Sequence, residues 1–130
     1  MAIDFGGRDI TLLAAEDLST MQFRFVVQAA DGTVRMADSA TEFPLGVLQN
    51  APAAANLPAV VRVDGTSKLV MNAAVAVGVA LKNEYVGAAD NGKGDAADTA
   101  GDLIRAYCIM ASGAEDDVGA VLLAFGRIHS

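Results

Sequence analysis

The sequence predicts a mainly β single domain, a small barrel or sandwich with at most short helical turns and an extended N-terminal arm. Three observations carry this expectation. Short segments alternate apolar and polar residues with a period of two, turn dipeptides separate them at short spacing, and 130 residues are enough for one core but not comfortably for two.

The first 20 residues differ from the rest. Gly6-Gly7 is flexible, Ile10, Leu12 and Leu13 are apolar, and Ala14 to Ser19 has the length of a single helical turn. A frayed terminus and an arm that orders on a partner are the two readings, and the apolar residues favour the arm. The chain is therefore divided into an arm over residues 1–20 and a β-rich domain over 21–130.

Within that domain Phe23, Phe25 and Val27 share one face of a strand, with Arg24 and Gln28 on the other. Val34 and Met36 alternate with Thr33 and Arg35 in the same way. Asp31-Gly32 lies between the two runs and tolerates the positive φ of a tight hairpin turn. Core packing is the expected place for Phe23 and Phe25. Further strands are read at Leu45 to Gln49, Val60 to Asp64 and Lys68 to Asn72, separated by Pro52 to Pro58 and by Asp64-Gly65-Thr66. Ala73 to Leu81 mixes helix-favouring Ala with Val75, Val77, Val79 and Gly78, and reads as a short helical turn or an irregular strand. The runs Leu103 to Ala111 and Ala120 to Phe125 are apolar on both faces, and their length and flanking glycines favour central or interface strands.

An internal similarity runs beneath this pattern. Val47 to Gly65 pairs with Cys108 to Gly126 at a shift of 61, and Asp31-Gly32 meets Asn91-Gly92 at a shift of 60. Few positions are identical, so chance is the alternative. A genuine repeat implies two related β units packed together, the second carrying the long acidic loop.

The formal charge of −7 and pI near 4.4 disfavour a nucleic-acid partner, since phosphate binding needs clustered Lys and Arg. Acidic residues concentrate between Asp90 and Asp102 and at Glu115, Asp116 and Asp117, which reads as a solvated face. No apolar run reaches the ~20 residues that span a bilayer, and MAIDFGGRDI lacks the order of a secretory signal. A soluble chain made in the cytoplasm, without a membrane partner, is expected. Cys108 is the single cysteine, which excludes an intrachain disulfide and a cysteine-based zinc site.

The candidates for chemistry fall away in turn. His129, the sole histidine, is one residue from the end of the chain and poorly placed to be held rigidly. Gly65-Thr66-Ser67-Lys68-Leu69 has Leu where a nucleophile elbow needs its second glycine. Cys108, between Tyr107 and Ile109, reads as an inert core residue. Asp90-Asn91-Gly92-Lys93-Gly94-Asp95 lacks the alternating ligands and terminal Glu of a calcium loop and reads as a solvated loop. No enzyme activity, metal or cofactor is expected.

The order of segments is nonetheless distinctive. Asp17-Leu18-Ser19-Thr20-Met21-Gln22-Phe23-Arg24-Phe25-Val26, then Ala30-Asp31-Gly32-Thr33-Val34, then Leu45-Gly46-Val47-Leu48-Gln49-Asn50-Ala51-Pro52, then Val61-Arg62-Val63-Asp64-Gly65-Thr66-Ser67-Lys68 resembles the capsid decoration, or cement, proteins of tailed bacteriophages. The likeness continues through Ala73 to Leu81 and a closing strand near Val121; the N-terminal segment and the acidic loop lie outside it. The resemblance implies a head-stabilising virion protein on the outer capsid surface, a homotrimer at three-fold and quasi-three-fold sites that clamps subunits of the major capsid protein. With that implication the arm supplies the capsid-contact candidates Ile3, Phe5, Arg8, Ile10, Leu12 and Leu13. A carbohydrate- or host-surface-binding β module is the alternative, since small β folds often serve that use.

Overall fold

The computed structural model describes residues 6–37, 42–84, 91–97, 100 and 102–128, and among them there is no helix. The strands are β1 (Gly7–Ala14), β2 (Phe25–Gln28), β3 (Thr33–Arg35), β4 (Gly46–Leu48), β5 (Pro58–Val70), β6 (Ala80–Asn83), β7 (Gly94–Ala96), β8 (Leu103–Met110) and β9 (Val118–Ile128). They form one sheet in the order β1-β3-β2-β4-β5-β9-β8-β6-β7, and an additional pairing of β1 with β5 closes the first five into a barrel. Closure removes the exposed strand edges that an open sheet would leave.

β5 continues beyond this barrel. Its first half pairs with β1 from Pro58 opposite Leu13 to Gly65 opposite Gly7, and its second half pairs with β9 from Gly65 opposite Leu123 to Val70 opposite Val118. A parallel bridge from Met71 to Gly94 then ties β7 back to the end of β5. The second circuit, β5-β9-β8-β6-β7, is thus also closed, by that one bridge.

The two circuits repeat each other pair by pair. Val47 faces Arg62 and Leu48 faces Val61 across β4–β5, as Tyr107 faces Leu122 and Cys108 faces Val121 across β8–β9. Phe25 faces Val47 across β2–β4, as Ala80 faces Tyr107 across β6–β8. Ala14 faces Val34 in parallel, as Met71 faces Gly94. The links between strands repeat as well. The Asn56 N–H donates to the Ala14 carbonyl at 2.7 Å and the Asp116 N–H to that of Met71 at 2.8 Å, with both donors at φ 70. Leu18 donates to Pro52 at 2.8 Å, and Val75 to Ser112 at 3.2 Å.

The internal similarity is therefore a structural repeat, with its register corrected by one residue. Val47 matches Tyr107, a difference of 60, rather than Cys108. Because strand side chains alternate, a slip of one would have exchanged inner and outer residues. The offset is 57 between Ala14 and Met71, 55 between Val26 and Leu81, and 60 between Leu48 and Cys108, so the changes fall in loops.

Each circuit has its own core. Ala14, Leu18, Met21, Val26, Val34, Leu48, Ala59 and Val61 fill the first, with Ile10 and Leu12 packed against them. Leu69, Met71, Val75, Leu81, Cys108 and Val121 fill the second, which also takes Phe25 and Val47 from the outside of the first. At about 25 cal/mol per Å² of apolar surface removed from water, this burial is the main stabilising contribution.

Hairpin β2–β3 turns at Gly32, φ 71, as the dipeptide predicts, and β4 and β8 lie where their apolar runs place them. Four local expectations change. Asp64-Gly65-Thr66 is not a break: β5 runs through it, with Gly65 at φ 89 on the crossing from one circuit to the other. Phe23 stands outside β2, half-buried, and β2 buries Phe25, Val26 and Val27 because circuits lie on both its faces. Residues 7–14, expected in a partner-seeking arm, form the first strand of the barrel, since β5 offers them a full antiparallel ladder. Asn91 to Gly94, read as a solvated loop, is buried: the Phe25 N–H donates to the Gly92 carbonyl at 2.7 Å, and Asn91 Nδ2 to that of Ala37 at 3.1 Å.

Candidate binding surface

β1 brings together four of the six residues proposed for partner contact. Ile10 and Leu12 turn inward onto the first core, whereas Arg8 and Leu13 stay exposed. Arg8 pairs with Asp64 at 3.2 Å, a solvent-screened contact contributing little stability. Leu13 is 43% exposed and crosses from Pro58, next to Leu57 at 44%. Ile3 and Phe5 lie outside the described residues, as does His129.

A second surface, absent from the sequence reading, covers the outside of β5, β9 and β8 in the second circuit. Leu122 faces Tyr107 on one side and Thr66 on the other, and Ala120 lies between Met110 and Lys68. Leu122, Val118 and Met110 are each more than 40% exposed. The fold does not require an apolar outer face at these positions. Arg62, the counterpart of Leu122 in the first circuit, is held instead by Asp9 through Nε and Nη2 at 2.7 and 3.1 Å. That contact holds the Asp9 carboxyl below its ordinary value. No sequence signal marks this face, because a run apolar on both faces hides which face is covered.

The two circuits meet at Arg105, buried on β8 where the β8–β9 register shifts between Ile104 and Ala106. Such a bulge re-aims a side chain. The guanidinium donates to the carbonyls of Pro44 (Nε, 3.1 Å), Ala124 (Nη1, 2.6 Å), Leu45 (Nη2, 2.9 Å) and Val63 (Nη2, 2.7 Å). It thereby ties together β9, β5 and the segment entering β4. Burial pushes its pKa below the ordinary arginine value, with the charge of Asp64 opposing the shift. Phe43 lies 5.6 Å from it, in cation–π range, beside a pocket of about 540 Å³.

Cys108 is buried in the second core, where burial raises its thiol pKa against a hydrogen bond from Sγ to the Met110 carbonyl at 3.3 Å. Among the described residues, no three His, Cys, Asp or Glu side chains are grouped to hold a metal ion.

Taken together, the fold defines an all-β tandem barrel with a shared central strand and an exposed apolar sheet face. A solved structure with this fold is the N base of the head fiber gp8.5 of bacteriophage phi29, similar over 95% of this chain and 98% of that one with a TM-score of 0.67. The sequences are 12% identical, so the likeness is one of fold. No family model matches the chain, and no curated protein does.

Proposed function

We propose that this chain is a capsid decoration protein of a tailed bacteriophage, without catalytic activity, bound to the outside of the head and stabilising contacts between major capsid protein subunits. The observation that carries the proposal is the nearly full-length fold match to the base of a phage head fiber. The segment resemblance from Asp17 onward points the same way by an independent route. In this reading the chain acts as a homotrimer at three-fold and quasi-three-fold sites. The apolar face of Leu122, Val118 and Met110 is assigned to contact between copies, where burying exposed side chains favours association. Arg8 and Leu13, with Ile3 and Phe5, are assigned to the capsid. Repeated weak contacts summed over a trimer give avidity on a symmetric shell.

The test is co-sedimentation of purified protein with expanded empty heads of the phage, after light scattering has fixed its oligomeric state. Trimers that pellet with heads, and lose this on Leu13→Asp, are expected. A folded protein that stays in the supernatant while the heads pellet overturns the reading.

A further inference from the structure

The pocket at the junction of the two circuits has an unusual electrostatic composition. Its walls are largely apolar, with Pro44, Leu45, Val63 and Leu123 among them, yet Arg105 also lines it and is only 6% exposed. Four backbone carbonyls take four of the five N–H groups that a guanidinium carries, and among the described residues no carboxylate is bonded to it. Carbonyl dipoles satisfy hydrogen bonds without cancelling the charge. Asp64, at the rim, is already paired with Arg8 at 3.2 Å. Asp64 offsets part of the cost of this buried charge without a hydrogen bond to it, and an anion brought beside the guanidinium out of water offsets more than a surface pair would.

We infer that this pocket binds a carboxylate carried on an apolar body, with the carboxylate directed at the Arg105 guanidinium and the apolar part against Leu45, Val63 and Phe43. The chemistry suits a free apolar acid or an apolar peptide ending in a carboxylate. Phosphate, sulfate and other fully hydrated anions fit poorly, because the walls cannot replace their water shell. The inference rests on the pocket alone and stands or falls separately from the capsid reading.

The test uses the whole chain and amide-resolved NMR titration. The probes are 3-phenylpropanoate, a short apolar peptide with a free C-terminal carboxylate, and the primary amide of each. Saturable shifts centred on Phe43, Leu45 and Arg105 are expected for the acids, with dissociation constants on the order of 1 mM and at least ~10-fold weaker binding for the amides. Tighter binding of the peptide would identify a chain terminus as the source, and tighter binding of the free acid a small molecule. Ala124→Phe, which fills the pocket from β9, should abolish binding; Phe43→Ala, at an exposed wall position, should weaken it if the first variant does not fold. Equal binding of acid and amide, no saturation by either acid, or full binding by a folded Ala124→Phe protein overturns the inference.

Discussion

Phe23 and Gly78 occupy the same place in the two halves of the molecule. Both have positive φ, 61° and 89°, and both donate their N–H to the matching strand residue, Phe23 to Leu48 at 2.7 Å and Gly78 to Cys108 at 2.8 Å. The repeated hydrogen bond requires the left-handed conformation whichever residue supplies it. Glycine meets that need without steric cost, whereas a phenylalanine there is strained. Phe23 in return places its ring 5.5 Å from Lys68 Nζ on the outer sheet face.

Gly78→Ala measures that conformational cost directly, because nothing lies within 4 Å of the added Cβ. A loss of about 1 kcal/mol in urea unfolding is expected. At Gly92, φ +86, the same change also drives Cβ to 2.6 Å from the Phe25 carbonyl oxygen, so Gly92→Ala should lose more. Equal losses at both sites would contradict the packed position of the Asn91–Gly94 turn.

Gly65→Ala should open the first barrel while leaving the second closed. The new Cβ would lie 2.3 Å from the Gly6 carbonyl oxygen and 2.5 Å from the Gly7 Cα, so β1 must move away from β5. Amide hydrogen exchange at residues 9–13 should accelerate far more than at 104–108. Uniform acceleration would mean that the two halves open only together.

Arg105→Met replaces the guanidinium by an apolar chain of similar reach. The carbonyls of Pro44, Leu45, Val63 and Ala124 then lose their shared donor, and a loss of roughly 3–5 kcal/mol is expected in urea unfolding. A loss under about 1 kcal/mol would show that the seam is held by apolar packing alone.

The Asp9–Arg62 pair sets a sign for acid behaviour. The hydrogen bond from Arg62 depresses the Asp9 carboxyl below its ordinary 3.8, so its contribution is present above that value and is lost as pH falls through the lower folded one. The pair is partly exposed, which limits the contribution to about 1 kcal/mol or less. Asp9→Asn should flatten that part of the stability profile below pH ~4. An unchanged acid limb would remove the pair from the account.

Cys108 should resist a thiol reagent in the native protein at pH 8 and react at once in denaturant, because burial both shields it and disfavours its thiolate. Native labelling as fast as that of free cysteine would show that the second core opens readily.

Local chemistry made the middle of this fold legible. Asp31-Gly32 and the apolar runs entering β4 and β8 carry their structure in neighbouring residues. What escaped depends on distant partners. Gly7 to Leu13 becomes a strand because residues 58–65 lie alongside it, and nothing within residues 1–20 reveals that ladder. Gly65 looks like a turn because glycine with Asp and Thr usually is one; here its freedom serves a close approach to Gly7. Asn91 and Lys93 look solvated by type, yet contacts across the junction bury them. Of the candidate contact residues, Ile10 and Leu12 were expected against a partner and pack instead on the chain's own first core, because the strand that completes that core lies about fifty residues away. Arg105 was the missed residue. A lone arginine within Leu103 to Met110 was its signal, readable as a buried charge once the run is known to be a strand with a bulge.

The double membership of β5 makes the chain unevenly tolerant of insertions and deletions. The paired residues Asn83 and Gly94 of β6 and β7 enclose ten residues where their counterparts Gln28 and Val34 of β2 and β3 enclose five, and both hairpins still form. A single residue added between Val61 and Leu69 would have no loop to absorb it, and Val63 already takes up a bulge against β1. The added residue would reverse inside and outside for one barrel's share of the strand while the other kept its facing. Related chains should therefore vary freely in the length of that hairpin yet keep the spacing from Val61 to Leu69 fixed.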